Sequence, residues 1–193
     1  TFRTNANVGV NISVDELRAQ YDAIVLAGGS TRPRDLTVAG RELSGIHFAM
    51  EYLTQANRRV EGDQVPEADT ISAAGKHVII IGGGDTGADC LGTALRQGAA
   101  SVHQLELLSR PPDSRAAGNP WPEWPIVFRV SSAHEEGGER LYSVSTQKFT
   151  GDARGRVASL HGTKVESKVV DGKFQVDPVP GSEFALKADL VLL

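Results

Sequence analysis

HVIIIGGGDTGADCLGTALRQGA, residues 77–99, is the stretch from which the rest of the chain can be read. Four apolar residues, Val78 to Ile81, run straight into three glycines, and an amphipathic run closed by Gly98 follows. That order predicts a buried strand over 77–81, a tight turn, and a helix from about Thr86 to Gln97. SVHQLELL, residues 101–108, predicts the next strand, and the three pieces together have the length that a right-handed βαβ crossover requires. Gly82, Gly84 and Gly87 fit G-x-G-x-x-G in this setting. The first glycine permits the tight turn, the second lets a pyrophosphate approach the backbone, and the third lets helix and strand pack closely. Free N–H groups and the partial positive charge of the helix start suit phosphate. The candidate cofactor-binding residues here are Gly82, Gly83, Gly84, Asp85, Thr86 and Gly87. The same pattern allows a turn that serves packing alone, or another nucleotide-type ligand such as S-adenosylmethionine. An aspartate such as Asp85 in a first helical turn is also ordinary dipole chemistry.

The bulk properties narrow the class. A chain of 193 residues, 40% hydrophobic and 23% charged, can bury a sizeable core as one large or two small domains. A net charge of -4 argues against a nucleic-acid surface. The longest apolar runs fall far short of the roughly 20 residues a membrane-spanning helix needs, and with no signal-like opening the expected compartment is the cytoplasm. The single cysteine, Cys90, rules out an intramolecular disulfide and a cysteine-held cluster within these residues. Its place in an amphipathic helix suggests a small core residue. The five histidines show no metal-ligand spacing, so no metal site is expected.

Outward from the glycine turn, Ser13 and Glu16 have the spacing of a capping box ahead of a short helix. Asp22 to Ala27 is apolar on both faces, as a buried parallel strand would be, and runs into Gly28 and Gly29. Ala27, Gly28 and Gly29 thus form a second candidate cofactor-binding turn, although no helix continues it. From Gly45 onward, Ile46, Ala49, Met50 and Leu53 recur at helical spacing, and residues 61–75 read as an exposed linker. The proline-dense SRPPDSRAAGNPWPEWP, residues 109–125, can be neither helix nor central strand. Its tryptophans, Trp121 and Trp124, could flank a ligand or staple the loop to the core. Beyond residue 140, alternating apolar and polar residues with GD, DG and PG turn signals predict an antiparallel meander. The fold class expected is α/β: a Rossmann-like parallel sheet with helices on both faces and an appended meander.

Selection of one dinucleotide over another turns on the end of the second strand. NAD-selective sites place Asp or Glu there to accept from the ribose hydroxyls. Glu106 reads as lying inside the strand, while Ser109, Arg110 and Arg115 fall where a 2'-phosphate would sit. A guanidinium suits that phosphate because its planar fork donates two parallel hydrogen bonds. The expected cofactor is NADPH, with NADH possible. Arg110 and Arg115 could also simply solubilise the loop. Binding a dinucleotide needs orientation and no general acid or base, so no catalytic residue is named.

YDAIVLAGGSTRPRDLTVAGRELSGIHFAMEYL, VIIIGGGDTGADC, LELLSRPPDSRAAGNPWPEWP and FRVSSAHEEGGERLYSV, in that order, resemble the small (beta) subunit of glutamate synthase, or the equivalent C-terminal region of the fused eukaryotic enzyme. The resemblance covers almost the whole chain. It implies a glutathione-reductase-type architecture in which a pyridine-nucleotide domain is inserted into an FAD domain. Hydride from NADPH would pass to FAD, and iron-sulfur clusters outside this chain would carry electrons to a large (alpha) subunit that makes glutamate from glutamine and 2-oxoglutarate. On that basis residues 1–44 are expected to be a partial FAD-domain segment, 45–186 the NAD(P)H-binding domain, and 187–193 a strand returning to the FAD domain. The chain then reads as a piece of a longer protein whose partners are the large subunit and the rest of its own FAD domain. The rival readings are the nucleotide domain of another FAD-linked oxidoreductase subunit, and a non-catalytic nucleotide-sensing or scaffold domain docking through its tryptophan loop.

Overall fold

The computed structural model describes all residues except Thr31 and Gly172. They fall into two compact units, Thr1–Pro33 and Arg34–Leu193.

In the first unit, helix α1 (Val14–Gln20) starts where the capping signal places it: the Ser13 hydroxyl accepts the Glu16 N–H at 3.0 Å. The strand expected over Asp22 to Ala27 is not formed. The segment is irregular, and Val25 and Leu26 are 87% and 94% exposed. An extended segment becomes a strand only through a hydrogen-bonded neighbour, and among the described residues of this unit there is no strand to pair with it.

The second unit is built on a five-stranded parallel sheet in the order β1 (Ile46–His47), β9 (Leu190–Leu192), β2 (His77–Ile81), β3 (Ser101–Leu105) and β4 (Glu139–Leu141). Helices α2 (Ala49–Val60) and α3 (Asp85–Arg96) cover one face, where Tyr52, Cys90, Leu91 and Ala94 pack against Val78, Ile80, Val102, Leu190 and Leu192. The other face is covered by the meander rather than by helices. There Phe149 of β5 (Val144–Gly151) and Val157 and Leu160 of β6 (Val157–Val170) meet Ile79, Leu105 and Val191. Alternate residues of β2 therefore feed two different cores, which is why Val78 to Ile81 are apolar without alternation. The long β6 pairs with β5 and β8 (Phe184–Lys187) along its first half and with β7 (Lys173–Pro178) along its second, all antiparallel. Of the DG turn signal, Gly172 lies outside the described residues.

Three local expectations shift. Helix α2 begins at Ala49, not at Gly45, because Ile46 pairs with Val191 as a strand residue. Its buried face consequently carries Ala49 and Tyr52, and Met50 is exposed. Residues 61–70 are a mostly exposed connection with a 3-10 turn at Glu67–Asp69, but Ile71 and Ala73 enter the core. Finally, the structure makes no boundary at 186/187: β9 lies between β1 and β2, so residues 190–192 belong to the parallel sheet. Likewise the second unit reaches back to Arg34, not 45, with Ala39 bridging Lys148 and Ser44 bridging Arg156.

Candidate functional site

The glycine turn lies at the C-terminal end of β2. Open α/β sheets bind ligands outside the carboxyl ends of their parallel strands, and β2 lies inside this sheet between β9 and β3. Gly82 has φ +124°, a conformation that requires glycine. Its N–H donates to the Leu105 carbonyl at 2.8 Å, which ties the turn to the end of β3. A Cβ at Gly87 would collide with the Gly82 carbonyl and the Gln104 amide, so helix α3 can start this close to the turn only with glycine there. A Cβ at Gly84 would meet nothing within 4 Å. Gly84 is also the N-cap of α3, and no side chain caps that end. The first N–H groups of α3, at Asp85 and Thr86, therefore open toward the space in front of the turn.

That space is a cavity of ≈ 510 Å³ floored by Gly83, Gly84 and Asp85. One wall is the chain leaving β3, with Glu106, Ser109 and Arg110. Glu106 does not lie within the strand as expected. β3 pairs with β2 only as far as Ile81–Leu105, where Gly82 turns away, so Glu106 stands at the strand tip. Its carboxylate accepts the Gly83 N–H at 2.7 Å and the Leu108 N–H at 2.9 Å.

Arg110 reaches the cavity with its guanidinium stacked 3.8 Å from the Phe128 ring centroid and paired to Asp113 at 2.6 Å. Both members of that pair are substantially exposed, so the pair is weak and can exchange for another anion. Arg115 is placed differently. Its Nη1 donates to the carbonyls of Asn119 and Glu123, each at 3.0 Å, and it does not line the cavity. Together with the buried Asn119, whose amide bonds Glu123, Trp124 and Ile126, it holds the proline-rich loop in shape. Trp121 and Trp124 do not staple that loop to the core: they are 83% and 74% exposed, and Trp124 carries the Arg129 guanidinium 4.5 Å from its ring centre.

The cavity lining also contains cations that the sequence alone did not single out. Arg129 and Arg140 both line the cavity, Arg140 4.5 Å from the Phe128 ring centre and donating to the Arg129 carbonyl at 3.0 Å. With Arg110 they give three guanidinium groups around one cavity in a chain of net negative charge. The sequence signal was the density of arginine and aromatic residues in FRVSSAHEEGGERLY, but which of them converge depends on the fold. Ala27, Gly28 and Gly29 belong to the first unit, where they are exposed in irregular chain.

Burial sets the titration of the neighbouring groups. The Cys90 thiol, inside the core, is pushed up to about 12 and is inert as a nucleophile at neutral pH. His134 beside the cavity is held below the usual imidazole value, first by desolvation and then by Arg140, and desolvation likewise lowers His47. Both histidines are therefore neutral in the fold at a pH where the unfolded chain begins to take up protons. Stability is fully present above the unfolded value of 6.5 and declines as pH falls from there toward the lowered folded values. Melting temperature should accordingly fall between pH 7.5 and 5.5, and His134→Gln should reduce the slope. A melting temperature that rises on acidification would contradict this assignment.

Among the described residues, no helix is long and apolar enough to cross a membrane. The chain is 57% identical over its whole length to the glutamate synthase [NADPH] small chain of Mycobacterium tuberculosis, of which it covers 39%. It is 47% identical, over 98% of its length, to the glutamate synthase [NADH] of Schizosaccharomyces pombe, of which it covers 9%. The chain thus spans well under half the length of these curated relatives. Among solved structures it resembles Mycobacterium tuberculosis FprA in complex with NADPH, with a TM-score of 0.57 and 17% identity over 97% of this chain and 52% of that one, a likeness of fold. The sequence profile of the pyridine nucleotide-disulphide oxidoreductases matches residues 2–123. With that match over more than half its length, and a glycine turn opening a helix at the carboxyl end of a parallel strand, the chain belongs to the pyridine nucleotide-disulphide oxidoreductase family.

Proposed function

We propose that the unit Arg34–Leu193 binds reduced pyridine nucleotide for a glutamate synthase small subunit working in the cytoplasm. The observation that carries this reading is the uncapped start of α3 at Gly84, open in front of a cavity with three arginines. Gly82, Gly83, Gly84, Asp85, Thr86 and Gly87 form the pyrophosphate site: the uncapped first turn of α3 supplies the free N–H groups and the helix dipole, while Gly82 and Gly83, their own N–H groups bound to Leu105 and Glu106, let the phosphates come close. Ser109 and Arg110 take the 2'-phosphate of NADPH, while Arg115 shapes the loop that presents them. The chemistry supplied by the cofactors is hydride transfer from nicotinamide to FAD, with onward electron transfer through iron-sulfur clusters outside this chain. The protein's part is orientation and exclusion of water. The first unit, with Ala27, Gly28 and Gly29, belongs in this reading to the FAD domain, and a large subunit uses the electrons to make glutamate from glutamine and 2-oxoglutarate.

A second reading concerns the cofactor alone. Glu106 at the tip of β3 stands where an NAD-type site keeps its ribose acceptor, and the curated relatives include both an NADPH and an NADH enzyme. Calorimetric titration of the chain with NADPH and NADH tests both readings. Saturable binding of either supports the pyridine-nucleotide site. The absence of heat with both, in folded protein, would overturn it.

A further inference from the structure

The peptide joining Gly82 and Gly83 is held at both ends, by β3 and by the residue at its tip. Its carbonyl accepts from Gln104 Nε2 at 2.9 Å, and its N–H donates to Glu106 at 2.7 Å. Gln104 is 1% exposed, and its other amide atom, Oε1, lies 2.9 Å from His134 Nε2. His134 Nδ1 lies 2.9 Å from the Ser131 hydroxyl and 3.3 Å from the Ser131 N–H. The directions in this chain follow from its one group without a choice. A carbonyl can only accept, so Gln104 presents its NH₂ to Gly82 and its oxygen to His134. His134 therefore carries its hydrogen on Nε2, and Nδ1 accepts from Ser131.

We propose that Gln104 and His134 are positioning residues for the nucleotide, fixing the plane of the Gly82–Gly83 peptide that borders its pyrophosphate site and keeping the Gly82 carbonyl turned away from it. This inference rests on the pyridine-nucleotide reading above. The physical need is specific. Both residues of the peptide are glycine, so no Cβ opposes rotation of the peptide plane. A half-turn would break the bond to Glu106 and swing the Gly82 carbonyl into the space where anionic phosphate approaches. Gln104 opposes that rotation from inside the sheet, where a lost partner could not be replaced by water. His134 fixes Gln104 in turn, and because it sits on the four-residue helix α4 (Ser132–Glu135), it ties the turn to the loop bearing Phe128 and Arg129.

The test is calorimetric titration of the full chain, wild type and variants, with NADPH and NADH, alongside circular dichroism. Gln104→Met keeps the length but removes both hydrogen bonds, and His134→Leu removes the second. Each should weaken both nucleotides equally, by about tenfold, because the pyrophosphate is common to them. His134→Gln places an amide N–H near the former Nε2, and should return affinity to within about threefold of wild type. That rescue separates a hydrogen-bonding role from mere packing. If Gln104→Met does not fold, the His134 pair decides. Folded variants that bind as tightly as wild type would overturn the positioning role and leave the nucleotide site standing, as would a His134→Gln protein as weak as His134→Leu. A wild type that binds neither nucleotide would overturn the underlying reading.

Discussion

Gly84→Val is expected to leave the fold intact and to abolish useful nucleotide binding. Gly84 has φ -80° and ψ -177°, an extended conformation that valine adopts readily, and a Cβ there meets nothing within 4 Å. No side-chain cap is lost, and the melting temperature should move little. The isopropyl group, however, projects into the space that the pyrophosphate must enter to reach the N–H groups of α3. Two charge-assisted hydrogen bonds lost at roughly 1.5 to 3 kcal/mol each weaken binding at least about a hundredfold. Gly87→Val provides the contrast. Its side chain would press on the Gly82 carbonyl and Gln104, so that variant should lose stability as well as binding. Melting curves and nucleotide titrations on the two variants separate the cases. Unchanged affinity in a folded Gly84→Val protein would mean that the phosphates bind elsewhere.

The difference between these glycines shows what could be read from sequence and what could not. The βαβ unit is local: its apolar run, glycine spacing and closing Gly98 lie within one stretch, and β2 falls at His77–Ile81 as the pattern predicts. Which neighbours a strand acquires is not local. Leu190–Leu192 enters the sheet beside β2 more than a hundred residues away along the chain, and the apolar pattern of ADLVLL is equally compatible with a strand leaving for another domain. The same limit accounts for Asp22 to Ala27, whose hydrophobicity was plain but whose pairing was not. At the site, residue types were legible and directions were not. The alternation in SVHQLELL continues past Leu105, yet the ladder with β2 ends there because its partner turns away at Gly82, and this puts Glu106 at the tip. Arg115 was recognisable as a cation, but the carbonyls of Asn119 and Glu123 claim it, whereas Arg129 and Arg140 reach the cavity from beyond the loop.

Those placements make the choice between dinucleotides an experiment with distinct outcomes for each residue. If Arg110 exchanges its exposed Asp113 partner for a 2'-phosphate, Arg110→Ala should weaken NADPH about tenfold to a hundredfold, from ~1.5 to 3 kcal/mol of charged hydrogen bonding, and barely affect NADH. Added salt should reduce NADPH affinity more than NADH affinity, since that contact is partly exposed. Arg115→Ala should weaken the two nucleotides alike, because the loop it holds serves both. Glu106 pulls the other way: its carboxylate favours a ribose diol and repels a phosphate, so Glu106→Gln should weaken NADH while sparing or improving NADPH. Titration of both nucleotides against wild type and these three variants reads the balance directly. Equal losses for NADPH and NADH in Arg110→Ala would remove that residue from phosphate recognition and turn attention to Arg129 and Arg140. A wild type that prefers NADH, with the preference lost in Glu106→Gln, would establish that the strand-tip carboxylate outweighs the arginines around it.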